Sequence, residues 1–240
     1  IVGPNQDMHT FEPTPKSLAR IAHANLLFEN GLNFEPWLDK LYESSKSQAT
    51  RVVVTEDIVP FSFATGEADP HLWHDVNHVI VMTKAIEKAL SAHDPKNKNL
   101  YQANASAYIA RLTALEAWVL EKVQTIPESK RTLVTTHDSL GYFARRYHFE
   151  TMGISTHTTE ASDPSAAELI GLVETIKRSK IKAIFTENGY CSKIMETIAN
   201  ETSAKIVSGL YTDALSDPKG PTDSYEKLIR HNVLVITKGL

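Results

Sequence analysis

The chain is poor in the residues that build covalent or thiolate sites. Cys191 is the single cysteine among 240 residues, so no internal disulfide can form, and without a CxxC both thiolate zinc sites and redox pairs drop out. Any metal site must therefore use His, Asp or Glu. There is no basic run and the net charge is -4, which leaves nothing to neutralise a row of phosphates and argues against nucleic acid or an anionic membrane as partner. No apolar stretch reaches the ~18 residues of a membrane span. The opening Ile1-Val2-Gly3-Pro4 has neither a charged nor an apolar signal region, so the chain reads as already processed. Glycine-rich dinucleotide, P-loop, hydrolase-elbow and HExxH signatures are all missing.

What is present is ordinary for a compact soluble protein: 42% hydrophobic and 22% charged residues, too apolar for disorder. Short β-branched runs alternate with helical spacing. Pro15 opens a helix over about 15–24, followed by a strand at Asn25-Leu26-Leu27-Phe28 and another at Arg51-Val52-Val53-Val54-Thr55. The second half repeats the style with strands at 132–136, 183–186 and near Ile206-Val207, and a last helix near 224–237. Such alternation implies an α/β fold with parallel sheets covered by helices.

A different segment lies in the middle. Residues 95–126 lack internal Pro and Gly and carry Tyr101, Tyr108, Leu112, Leu115, Trp118, Val119 and Val123 at helical spacing. This run predicts one long rigid helix joining two lobes, 1–94 and 127–240; a long helix packed on one domain is the alternative.

Ten histidines are the unusual feature, and several fall in loops at strand ends, where α/β folds build their sites. His9 stands before the first helix, His71 in Asp69-Pro70-His71-Leu72-Trp73-His74-Asp75, His137 at the end of a strand, and Asp213 in Leu210-Tyr211-Thr212-Asp213-Ala214-Leu215. Imidazole and carboxylate donors suit borderline metals. Spacing alone does not select these four, because an isolated histidine is more often a polar loop residue than a ligand.

Several segments together, in order along nearly the whole chain, resemble the cluster A-I substrate-binding proteins of zinc and manganese ABC importers. They are Met8-His9-Thr10-Phe11-Glu12-Pro13-Thr14-Pro15, Asn30-Gly31-Leu32 with Trp37-Leu38, the Asp69–Asp75 motif, Thr136-His137-Asp138 with Gly141-Tyr142-Phe143, Glu160 with Asp163-Pro164-Ser165, and the Leu210–Leu215 segment. The resemblance implies a TroA-like, class III periplasmic binding fold whose two lobes are joined by one long helix. It implies a ligand set of His9, His71, His137 and Asp213, with zinc as cargo and manganese as the alternative. The partners it implies are the divalent ion and the membrane permease of an importer, with a monomeric receptor outside the cytoplasm, periplasmic or lipid-anchored. Two departures stand out. Against the family's pattern the opening βα unit is missing, so the first lobe is expected to be truncated at its start, and the His-rich loop common in zinc members is replaced by a short segment, 61–68.

A receptor is not an enzyme. The rival reading is a mononuclear metalloenzyme with three histidines, a water in the fourth position and Asp213 as base, but no substrate motif accompanies the ligands. Nothing in the sequence speaks for a surface adhesin. His74 and His78 follow His71 at helical spacing and are read as solvated or paired with Asp75. His157 is expected to be a polar loop residue, Cys191 a small buried one, and His23, His93, His148 and His231 structural. Asp138 is expected to cap the next helix and to orient the His137 loop.

Overall fold

A cap sets the first helix. In the computed structural model, which describes residues 1–6, 8–63, 65–155, 165–187 and 193–240, α1 (Pro15–Ala22) opens on a capping box. Thr14 Oγ1 accepts from the Ser17 N–H while the Ser17 side chain reaches back to the Thr14 backbone. Then come β1 (Leu26–Glu29), α2 (Leu38–Ser45) and β2 (Thr50–Val53), with β2 parallel to β1 and Phe28 opposite Val52. A parallel pair needs a crossover, and α2 supplies it. Ile21, Leu27, Leu38, Leu41 and Ala49 form the common core, with Trp37 and Tyr42 against it.

Past an antiparallel bridge from Ser62 to Ala68, a 3-10 turn (Leu72–His74) precedes α3 (Val76–His93). Asp75 is extended and accepts from the Asn77 N–H at 2.8 Å as the N-cap of α3. His71, His74 and His78 therefore do not share one helix, contrary to the expectation from their spacing. The long central run is a 3-10 turn (Pro95–Asn97) followed by α4 (Lys98–Gln124), 27 residues and about 40 Å of helix. The chain divides into two units, Ile1–Glu116 and Ala117–Leu240, and the division falls within α4.

The second unit is a four-stranded parallel sheet in the order β4-β3-β5-β6. Its elements are β3 (Thr132–His137), α5 (Gly141–Tyr147), β4 (Glu150–Ser155), α6 (Ala166–Arg178), β5 (Ala183–Glu187), α7 (Lys193–Thr202), β6 (Lys205–Leu210) and α8 (Tyr225–Gly239). Val134 and Ile184 pack with Ile176 of α6 and with Met195 and Ile198 of α7. On the other face Gly239 of α8 lies so close to the sheet that a Cβ there would come within 2.8 Å of Phe185. Helices thus cover both faces, and every residue of β5 is buried. No helix among the described residues is long and apolar enough to cross a membrane.

This strand order places a switch point between β3 and β5, since the chain leaves β3 toward one edge and β5 toward the other. Crevices at such points, beyond the carboxyl ends of the strands, are where open α/β sheets bind ligands.

Candidate metal centre

The register of the second sheet brings its polar residues together. Thr135 pairs with Phe185; two residues further along each strand stand His137 and Glu187, at the carboxyl ends of β3 and β5. His137 Nδ1 donates to Glu187 Oε1 at 2.6 Å. Thr136 Oγ1 donates to the same oxygen at 2.7 Å, and Thr212 Oγ1 donates to Oε2 at 2.7 Å. In β6 the pairing skips a residue: Ser208 faces Thr186 and Leu210 faces Glu187. The extra residue, Gly209, has φ of +104°, a conformation that glycine adopts without a Cβ clash. Beyond this bulge Asn232 holds the Tyr211 backbone by both its N–H (3.0 Å) and its carbonyl (2.6 Å). Asp213 then reaches His137, with Oδ2 3.2 Å from Nε2. Ligand atoms of His137, Glu187 and Asp213 all lie within 4.8 Å of one another.

The first unit contributes a similar device. Asp69 Oδ1 accepts from the His71 backbone N–H at 2.9 Å and from His71 Nδ1 at 2.7 Å, and both side chains are fully buried. The His9 ring stands edge-on to Phe34 and 5.8 Å from the His71 ring. Trp37 Nε1 donates to the Met8 carbonyl at 2.9 Å, which ties down the loop carrying His9. Asn30 Nδ2 donates to the Pro70 carbonyl at 3.0 Å beside His71. Glu35 braces the Asn30-Gly31 backbone by accepting both N–H groups, and burial holds its carboxyl above the usual carboxylate range.

Fixing Nδ1 of an imidazole on a carboxylate decides which nitrogen is left for a metal. In both His71 and His137 that nitrogen is Nε2. Burial works against a charge on His137, but the Asp213 and Glu187 carboxylates prevail and hold its pKa well above the ordinary imidazole value. Burial pushes Glu187 up, yet the facing His137 brings its carboxyl below the ordinary range.

Each of the four residues expected from the sequence is in a described part of the chain: His9 and His71 together in the first unit, His137 and Asp213 in contact in the second. Glu187 was not singled out, although one signal pointed to it: a lone carboxylate closing the apolar run Ala183-Ile184-Phe185-Thr186. Asp138 does not cap α5. The Ser139 N–H bonds the His137 carbonyl at 3.0 Å in a turn, and the helix starts only at Gly141. His231 is structural, donating from Nε2 to the Gly209 carbonyl at 2.8 Å. His78 Nδ1 donates to the Leu72 carbonyl at 3.2 Å, and His74 is buried. His157, Glu160, Asp163 and Cys191 lie outside the described residues.

Comparison with known proteins shows the family and the fold. A family model described as ZnuA, zinc-uptake complex component A periplasmic, matches residues 1–239. The manganese-binding lipoprotein MntA of Halalkalibacterium halodurans is 32% identical over the whole chain and 80% of its own length. The iron-binding protein YfeA of Yersinia pestis is also 32% identical, over the whole chain and 78% of its own length. The structure is similar to that of the periplasmic zinc-binding protein TroA from Treponema pallidum, with a TM-score of 0.91 and 29% identity over 99% of this chain and 88% of that one.

Proposed function

We propose, since the chain belongs to the ZnuA family of periplasmic zinc-uptake components, that it is an extracytoplasmic receptor that binds a divalent transition metal and delivers it to the permease of an ABC importer. The ion is cargo. His9, His71, His137 and Asp213 bind it. The observation that carries this reading is the repeated carboxylate–imidazole pair, Asp69–His71 and Glu187–His137, which presents Nε2 in both places. With His9 and Asp213 these two imidazoles make four donors, which complete the coordination of a borderline metal without leaving a position for a reacting water.

Three imidazoles and a carboxylate favour zinc over manganese at equilibrium, by the ordinary order of divalent affinities. Manganese is the second reading, supported by the 32% identical relative whose name is manganese-binding. Titration calorimetry with Zn2+ and with Mn2+ at one pH tests both. His9→Ala, His71→Ala, His137→Ala and Asp213→Ala should each lose more affinity than the ~10–100-fold typical of a residue that only supports a ligand. His93→Ala, on the exposed end of α3, should bind as the unaltered chain does. If one of the four is dispensable, the ligand set is wrong at that position; if manganese binds as tightly as zinc, the cargo assignment moves to manganese.

A further inference from the structure

The two threonines around Glu187 have a role that packing alone does not explain. A carboxylate at this place, with an oxygen within 4.8 Å of ligand atoms of both His137 and Asp213, is near enough to a bound ion to become one more oxygen donor by turning its side chain. Three hydrogen bonds oppose that turn. Oε1 takes His137 Nδ1 and Thr136 Oγ1, and Oε2 takes Thr212 Oγ1, at 2.6, 2.7 and 2.7 Å. The hydroxyls come from different elements, Thr136 from β3 and Thr212 from the segment after β6, so together they grip both oxygens. Thr212 is buried, and Glu187 is nearly so.

We propose that Thr136 and Thr212 determine metal selectivity by holding Glu187 on His137 Nδ1, so that it stays a partner of the ligand and never becomes a fifth donor. The proposal rests on the ligand set of the preceding section. Four donors of which three are imidazoles suit a tetrahedral zinc ion, whereas manganese prefers a higher coordination number richer in oxygen. Freeing Glu187 would add an oxygen and a coordination position at once. It would also release His137 Nδ1 from the carboxylate that orients it, so zinc should lose affinity while manganese gains or keeps its own. Thr136 and Thr212 touch no ion in this scheme; they are positioning residues that act through Glu187.

The test uses the whole chain carrying Thr136→Val with Thr212→Val, which keeps shape and removes both hydroxyls. Zn2+ and Mn2+ affinities are measured by competition at one pH, and the visible spectrum of the Co2+-loaded protein is recorded, since four-coordinate cobalt absorbs far more strongly than five-coordinate cobalt. The ratio of manganese to zinc affinity should rise about tenfold, the change expected from weakening a hydrogen bond to a charged group, and the cobalt absorption should fall. Thr136→Ser with Thr212→Ser, which keeps both hydroxyls, should restore the original ratio and spectrum. An equal loss for both metals with an unchanged cobalt spectrum would mean that the threonines serve folding only, and would overturn the proposal. Should the double variant fail to fold, Thr212→Val alone decides by the same ratio and spectrum. Failure of the ligand set would show separately, as metal binding that survives His137→Ala.

Discussion

At His137 a proton and a metal compete for the same ring nitrogen. In the metal-free chain its two ring nitrogens face carboxylates, Nδ1 toward Glu187 and Nε2 toward Asp213 at 3.2 Å, and these hold the imidazolium form well above the ordinary imidazole pKa. For a histidine raised in this way, the stabilisation of the metal-free fold is complete below the unfolded value of ~6.5 and fades as pH rises through the higher folded value. The ligand form is neutral at Nε2, so the metal-bound state gains over the same interval. Zinc should therefore raise Tm more at pH 8 than at pH 6, with the metal-free Tm itself lower at pH 8 than a His137→Gln control would lead one to expect. Scanning calorimetry of both proteins at the two pH values checks this. An equal zinc-induced rise at both would show that the pair does not compete with the ion for His137.

Among the elements, the end of β3 depends on its neighbour β4. A Cβ on Gly153 would fall 2.7 Å from the Asp138 backbone nitrogen and 2.9 Å from its Cα, so only glycine lets the chain turn there directly after His137. Gly153→Ala has to displace backbone, which costs about 1–3 kcal/mol as overpacking does, and it should shift the turn that bears His137. Urea denaturation should show the loss of stability and calorimetry a weaker zinc affinity. Unchanged affinity with reduced stability would place the effect in the sheet alone. The alternation of strands and helices was legible in the sequence because runs such as Val52-Val53 and Ala183-Ile184-Phe185 are β-branched or apolar throughout. The β4 run, Glu150-Thr151-Met152-Gly153-Ile154-Ser155, mixes polar residues with a glycine and was not separated, because its place is decided by pairing with β3 and by the close approach at Asp138. The spacing of His71, His74 and His78 suggested one helix; the extended Asp75 that caps α3 broke it. Glu187 and the two threonines that hold it were not legible, since their meeting depends on the β3–β5 register and on the Gly209 bulge, neither of which leaves a local pattern.

At the scale of the molecule, each α/β unit holds an imidazole whose Nδ1 is tied to a carboxylate, with His9 beside His71 in the first and Asp213 beside His137 in the second. The proposed function requires that His9, His71, His137 and Asp213 all bind a single ion. X-ray absorption at the zinc edge, on the chain loaded with one equivalent of Zn2+, measures that shell directly. The expected shell is three imidazole nitrogens and one carboxylate oxygen at ~2.0–2.2 Å, with no sulfur. A shell with fewer than three imidazoles, or one completed by sulfur, would contradict it.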